Sequence, residues 1–182
     1  MAGRGLNGPT VERPLLGRYR WFMRRIRNHL APGILAVFLA FTNSPARSAE
    51  PDIYPVPAQA RSELAAALAA AAADHKRIIL DFGGNWCTDC HVLDHYFHDP
   101  VNAPLLQASY ILVHINVGRF TDNLDIAERY QIPLRKGVPA LVVLGEKGEL
   151  LYSQRTGEFE AMRSMQSSAV TDFLVRWKPP AA

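Results

Sequence analysis

Two cysteines separated by two residues are the feature of this sequence best suited to chemistry. Cys87 and Cys90 are the only cysteines among the 182 residues, and they closely follow the apolar run 78–82. A C-x-x-C pair between a strand and a helix is a redox arrangement, because a helix N-terminus stabilises a thiolate. Since the thiolate is the attacking form, we predict that Cys87 attacks. Cys90, one helical turn later, would then resolve the mixed disulfide.

The same region leaves three other interpretations of the cysteine pair open. Cys87 to His91 spells C-x-x-C-H, the attachment signal for c-type haem, but small cytochromes c are mostly helical and this motif follows a strong strand. His91, His95 and His98 share a helical face, so Cys87, Cys90 and a nearby histidine could instead form the copper or zinc site of a metal chaperone. The third interpretation is a non-catalytic binding module with a permanent disulfide.

The spacing of apolar residues predicts the elements that must position this pair. Helices are expected over 58–75, from the cysteines to about 97, and over 101–107, 124–130 and 168–177, with Asn123 as a cap. Strands are expected over 78–82, 110–117, 140–144 and 149–153, the last two as a hairpin. This order predicts an α/β fold, with a central mixed sheet flanked by helices. Residues 50–57 contain three prolines and are interpreted as an extended lead-in.

The first 49 residues have the composition of an export signal. They hold eight of the twenty Lys and Arg residues and a single acid, and a positive cluster precedes an apolar stretch and a segment of small residues. This is the order of a signal peptide, and the apolar stretch is shorter than the roughly 20 residues of a membrane span. We therefore predict periplasmic export, translation from Met23 and a mature start between 47 and 50. An uncleaved signal would leave the protein membrane-anchored.

The remainder of the chain is mildly acidic, with sixteen acidic and twelve basic residues in 50–182. A nucleic-acid groove needs basic residues clustered on the folded part, so we predict no nucleic-acid binding. Hydrophobic residues make up 48% of the sequence and charged residues 20%, which is ordinary for a globular protein and excludes a disordered or many-span membrane protein. We expect a monomer.

Two segments resemble the thioredoxin superfamily, and most closely its exported bacterial thioredoxin-like proteins. Residues 81–90, DFGGNWCTDC, follow the family pattern of an acid, a Phe and a Trp directly before C-x-x-C. Residues 136–140, KGVPA, resemble the segment that holds the family's cis-proline. The resemblance covers residues 58–178 and implies a thioredoxin-like domain over 58–182.

The resemblance also implies roles for individual residues. Asp81 would be a buried carboxylate that accepts the proton of Cys90 through a water. Pro139 would be a cis-proline facing the cysteines, which leaves the Val138 backbone free to pair with a substrate strand, and Trp86 would cover the thiol pair.

A thiol–disulfide oxidoreductase that exchanges disulfides with protein partners is the implied function. It needs neither an organic cofactor nor a metal, because the electrons reside in the cysteine pair, but it needs a donor, for which we expect a membrane electron-transfer partner. His114 aligns with a lysine that neighbours the buried acid in thioredoxin, so proton transfer would be pH-sensitive near neutrality. Asp89 stands inside the motif, beside the attacking thiolate. We favour a reducing or isomerising role over a strong oxidant, because strong oxidants need an unusually stabilised thiolate.

Overall fold

The computed structural model describes residues 51–180. The predicted signal segment, the start at Met23 and the processing point between 47 and 50 lie outside the described residues. Within 51–180, no helix is both long and apolar enough to cross a membrane.

Five α-helices and four β-strands make up the described part of the chain, together with short 3₁₀ turns. The helices are α1 (Ala60–Asp74), α2 (Thr88–Phe97), α3 (Asn102–Ser109), α4 (Leu124–Arg129) and α5 (Ser167–Trp177). The strands are β1 (Arg77–Gly83), β2 (Tyr110–Asn116), β3 (Ala140–Leu144) and β4 (Leu150–Ser153). Each predicted helix and strand is confirmed, with ends that differ by a few residues at most.

The strands form one mixed sheet in the order β2-β1-β3-β4. β1 pairs in parallel with β2, whereas β3 is antiparallel to both β1 and β4. Every residue of β3 and all of β1 after Arg77 are buried, as expected of central strands covered on both faces. This is the predicted α/β architecture, a mixed sheet with flanking helices.

Two apolar clusters hold the helices against the sheet. Ile78, Leu80 and Phe82 of β1 belong to a cluster that includes α1 and α4, whereas Ile79 belongs to a cluster with α2, α3 and α5. Alternate residues of a strand point to opposite faces, so the uninterrupted apolar run of β1 supplies both clusters. Asp81 has the parity of Ile79 and therefore points to the same side of the sheet as α2.

Helix α1 packs through small residues. Its buried positions are Ala60, Leu64, Ala67 and Ala71, which recur every three or four residues and form one stripe. It ends at His75, which adopts a left-handed backbone conformation with φ of 55° and donates its N–H to the Ala71 carbonyl.

The predicted capping of α4 by the Asn123 side chain is wrong. Asn123 precedes α4 but has a left-handed backbone, with φ of 53°, and makes no side-chain cap. Its amide nitrogen instead donates to the carbonyls of Pro57 (3.0 Å) and Asn116 (2.8 Å). The side chain thus ties the lead-in segment to the end of β2.

Candidate redox site

The cysteine pair lies at the junction between β1 and α2. Cys87 and Cys90 form a disulfide, with their Cα atoms 5.2 Å apart. Cys87 is the N-cap of α2, and its Sγ accepts the backbone N–H of Cys90 at 3.1 Å. The Cys90 N–H also donates to the Cys87 carbonyl at 3.0 Å, so it is shared between this oxygen and the sulfur. This N–H and the positive end of the helix dipole therefore face the sulfur that is expected to attack.

The two sulfurs differ in their access to solvent. Cys87 is 6% exposed and lines a surface cleft, whereas Cys90 is fully buried. A partner disulfide can approach Cys87, while Cys90 is reached only from within the protein. This arrangement suits an attacking Cys87 and a resolving Cys90.

Val138 and Pro139 lie across from the cysteines. Their peptide bond is cis, and the Val138 carbonyl oxygen is 3.6 Å from Cys87 Sγ. Both residues are buried. Val138 precedes Ala140, the first residue of β3 paired in the sheet, so its main chain lies beyond the ladder shared with β1.

Trp86 stands at the rim of the cleft beside Cys87. Its ring is 38% exposed, packs edge-on against Phe120 with ring centres 5.4 Å apart, and donates its indole N–H to the Gly118 carbonyl. The Arg119 guanidinium lies 5.3 Å from the indole centroid, within cation–π range. The cleft, of about 300 Å³, includes Trp86, Cys87, Phe120 and Val138 in its lining.

Asp89, inside the C-x-x-C motif, is paired with Arg163. One carboxylate oxygen accepts the Arg163 backbone N–H at 2.9 Å, and the other lies 3.0–3.1 Å from the guanidinium nitrogens. Burial opposes ionisation of Asp89, but the hydrogen bonds and charge of Arg163 hold the pKa of this carboxyl below its usual value. The negative charge beside Cys87 is therefore largely compensated.

Asp81 lies at the centre of a buried polar group. It is fully buried; its Oδ2 accepts the Tyr54 hydroxyl at 2.6 Å and lies 3.0 Å from His114 Nδ1. The contact with His114 follows from register, because Asp81 and His114 are direct neighbours across the β1–β2 pair. Asp81 Oδ1 makes no hydrogen bond within residues 51–180.

Comparison with known proteins agrees with this geometry. Residues 59–145 match the model of a family described as thioredoxin-like. The crystal structure of a disulphide isomerase from Xylella fastidiosa Temecula1 is 35% identical and covers 70% of this chain and 98% of its own, with a TM-score of 0.67. This chain belongs to the thioredoxin superfamily.

A curated relative is also similar to this thioredoxin-like chain. The thiol:disulfide interchange protein DsbD 2 of Pseudomonas aeruginosa is 31% identical over 102 residues. The alignment includes 55% of this chain but only 17% of the relative. The thioredoxin-like chain thus corresponds to a small part of that larger protein.

The histidines after the cysteines make contacts within the thioredoxin-like domain. His91 Nε2 is 2.9 Å from the Asn85 carbonyl oxygen, and His98 Nδ1 is 2.8 Å from the Asp94 carbonyl oxygen. Among residues 51–180, no group of three or more His, Cys, Asp or Glu side chains is arranged to hold a metal ion.

His114 makes the stability of this thioredoxin-like domain dependent on pH. Burial lowers the pKa of His114, but the hydrogen bond and charge of Asp81, with the charges of Asp94 and Glu63, raise it above its ordinary value of 6.5. A histidine whose pKa is raised by folding stabilises the fold fully below its unfolded pKa. That contribution is lost as the pH rises through the folded value.

We therefore expect His114→Gln to destabilise the oxidised protein most at about pH 6 and progressively less towards about pH 9. Urea unfolding of wild type and variant across this range measures the difference. His95→Gln is the matched control, because His95 is exposed on α2. A destabilisation by His114→Gln that is constant or grows with pH would contradict the ion pair.

Sequence reasoning missed Tyr54, Asn85 and Arg163, whose partners at the site lie 27 to 74 residues away along the chain. A local signal existed for Tyr54. Gly83 and Gly84 follow the apolar run of β1, and a Cβ on Gly83 would lie 2.3 Å from the Tyr54 hydroxyl oxygen. The glycine leaves room for a ring supplied by another segment.

Proposed function

We propose that this protein is an exported thiol–disulfide oxidoreductase that reduces or isomerises disulfides in partner proteins. The observation that carries the proposal is the disulfide at the N-terminus of α2, with Cys87 facing an open cleft and Cys90 buried behind it. The enzyme class agrees with the names of the two relatives, a disulphide isomerase and a thiol:disulfide interchange protein.

The reduced form would act in two steps. The Cys87 thiolate attacks one sulfur of a partner disulfide, forming a mixed disulfide and releasing the first partner thiolate. Cys90 then loses its proton, and its thiolate attacks Cys87 Sγ and displaces the second partner thiolate. Two electrons pass to the partner, and the Cys87–Cys90 disulfide forms. Asp81 is our proposed acceptor of the Cys90 proton, because it is the buried carboxylate at this end of β1.

The charges around Cys87 do not supply the unusual stabilisation of the thiolate that a strong oxidant needs. Arg163 compensates Asp89, so stabilisation of the thiolate is left to the Cys90 N–H and the helix dipole. A helix N-terminus stabilises a thiolate by roughly 0.3–2 kcal/mol, whereas the thiolate of a strong oxidant is stabilised far more. We therefore expect the reduction potential of the cysteine pair to lie towards the reducing end of the range found in thiol–disulfide oxidoreductases.

Partner proteins would bind along the cleft as extended segments. The Val138 main chain, lying beyond the paired part of β3, can hydrogen-bond to a partner strand beside the reacting sulfurs. Trp86 and Phe120 offer exposed aromatic surface at the rim, 38% and 41% exposed, for an apolar side chain of the partner. We propose Trp86, Val138 and Pro139 as the substrate-binding residues.

Export and the electron supply complete the proposal. The charge and hydropathy pattern of residues 1–49 supports delivery to the periplasm. That compartment is oxidising, so a reductant there must be recharged, and we propose a membrane electron-transfer protein as the donor.

A redox titration of residues 50–182 with thiol trapping tests the proposed function. We expect a midpoint closer to about −270 mV, typical of thioredoxin, than to about −120 mV, typical of a strong oxidant. We also expect the reduced protein to reduce insulin, with boiled protein as the control. A pair that is reduced only after unfolding would point to a structural disulfide, and a midpoint near the oxidising value would reverse the direction.

A further inference from the structure

We propose that the lead-in segment 53–57 is part of the redox machinery and that Tyr54 is a positioning residue for Asp81. The inference rests on the proposed function, because it concerns the step in which Cys90 is deprotonated. It is based on the position of the Tyr54 hydroxyl, which donates to Asp81 and lies near the buried Cys90 sulfur.

Tyr54 reaches the site from outside the sheet and the helices. Its ring is 2% exposed, and its hydroxyl donates to Asp81 Oδ2 at 2.6 Å. A Cβ atom placed on Gly83 would lie 2.3 Å from the Tyr54 hydroxyl oxygen and 2.8 Å from Cys90 Sγ. The tyrosine thus borders both the carboxylate and the resolving sulfur.

Three asparagines, one of them the last residue of β2, hold the lead-in segment in place. Asn85, two residues before Cys87, accepts the backbone N–H groups of residues 53 and 54 through its Oδ1 at 3.0 and 2.8 Å and donates to the Tyr54 carbonyl at 2.9 Å. Asn116 donates to the Pro55 carbonyl at 2.7 Å, and Asn123 to that of Pro57 at 3.0 Å. Such a set of main-chain contacts fixes the tyrosine relative to the cysteine loop.

The contacts of Asp81 leave one oxygen for proton transfer. Tyr54 and His114 both occupy Oδ2, whereas Oδ1 makes no hydrogen bond within residues 51–180. Burial and the charge of Asp81 raise the pKa of Tyr54 well above its ordinary value, so the hydroxyl stays protonated and remains a donor. By holding Oδ2, Tyr54 stabilises the ionised carboxylate and keeps Oδ1 as the base.

His114 provides the way out for the proton. Its side chain is 18% exposed and lines a surface pocket of about 600 Å³ together with the lead-in segment and Glu63. Asp94 of α2 faces the other ring nitrogen at 3.8 Å. The charged and titratable groups around Asp81 are thus Tyr54, His114, Asp94, Glu63 and the thiol of Cys90.

Stopped-flow reaction of the reduced protein with dithiobis-nitrobenzoate, a symmetrical aryl disulfide, separates the two steps. Attack by Cys87 releases one coloured thionitrobenzoate and leaves a mixed disulfide. Cys90 then gives its proton to Asp81, attacks Cys87 Sγ and releases the second thionitrobenzoate. Two electrons leave the dithiol and appear in the two released thiolates.

We expect Tyr54→Phe to slow the second release about tenfold at neutral pH, the effect of one hydrogen bond to a charged group. The first release should change less than about twofold, because Cys87 and its N–H donor are untouched. The pH midpoint of the second release should move upward, since ionised Asp81 loses a stabilising donor.

Tyr110→Phe is the matched control. Tyr110 is 4% exposed and its hydroxyl donates to the Leu174 carbonyl at 2.6 Å, so the change removes a comparable buried hydrogen bond away from the cysteines. Thermal unfolding of both variants checks the fold. Should Tyr54→Phe not fold, Asn85→Ala retains the hydroxyl but frees the segment, and we expect about a threefold slowing of the second release alone.

The outcomes distinguish a failure of the positioning role from a failure of the proposed function. Wild-type kinetics in Tyr54→Phe, or equal slowing of both releases, would overturn the positioning role while leaving the oxidoreductase intact. A wild-type protein that releases no thionitrobenzoate in its folded, reduced state would overturn both. Selective slowing of the second release with an upward pH shift, absent from Tyr110→Phe, would establish the role.

Discussion

Replacing Cys87 by serine is expected to reduce insulin reduction to about 1% of the wild-type rate or less, because a serine hydroxyl is not ionised at neutral pH. Cys87 is the sulfur that lines the cleft and accepts the Cys90 N–H. Steady-state reduction of insulin with dithiothreitol as donor measures the loss.

Cys90→Ser is the companion variant, reduced beforehand and mixed with insulin after the dithiothreitol has been removed. It should keep the attack of Cys87 but not the resolving step, so the protein should accumulate as a mixed disulfide with its partner. Intact mass of the non-reduced product detects the adduct. Rapid turnover by Cys87→Ser, or an adduct formed through Cys90 alone, would show that the roles of the two cysteines are reversed.

Replacing Asp81 by asparagine is expected to slow the second thionitrobenzoate release about 100-fold, because general bases contribute roughly 10²- to 10⁴-fold. Asparagine has nearly the same shape but cannot accept the Cys90 proton. The first release should stay close to the wild-type rate, since Asp81 is fully buried and does not line the cleft next to Cys87.

Asp125→Asn provides the control for the loss of a carboxylate. Asp125 is exposed on α4 and pairs with Arg61 at 2.8 Å, so neither release should change. The measurement is the same two-phase reaction, followed from about pH 6 to 9. A second release in Asp81→Asn as fast as in wild type would mean that another group removes the Cys90 proton.

The size of the Asp81→Asn effect relative to that of Tyr54→Phe distinguishes the two roles. A group that accepts the proton should matter more than a group that only orients the acceptor. We therefore expect Asp81→Asn to slow the second release more than Tyr54→Phe does. The opposite order would make Tyr54, rather than Asp81, the principal contributor to Cys90 deprotonation.

The elements around the site were largely predictable from the sequence because each is a local pattern. The uninterrupted apolar run of residues 140–144 predicts β3 with its observed bounds, Ala140–Leu144. Its neighbour 78–82 lies inside β1, Arg77–Gly83. Strands buried on both faces lack alternation but are recognisable by their length and apolar composition.

The sequence also predicted the pairing of Asp81 with His114, through a resemblance rather than through spacing. The structure places the two residues opposite each other in β1 and β2. Parallel neighbours on adjacent strands project to the same face, so their side chains meet once the register is known. Register itself depends on the packing of the whole sheet, which a single chain segment does not encode.

The capping interpretation of Asn123 shows where local reasoning fails. Asparagine is among the residues strongly preferred as a cap before a helix. In the fold, the carbonyls of Pro57 and Asn116 lie within reach, and the side chain donates to them instead. A contact 66 residues away along the chain outweighed the local preference.

The fold class, the C-x-x-C pair and the helix that begins beside it were predictable, because each depends on residues that are close along the chain. The environment of those cysteines arises from contacts between distant segments. Folding pairs Asp89 with Arg163, 74 residues away, and brings Tyr54 of the lead-in segment to Asp81. Single polar residues in distant segments leave no periodic pattern, and their contacts exist only after the sheet and helices have packed.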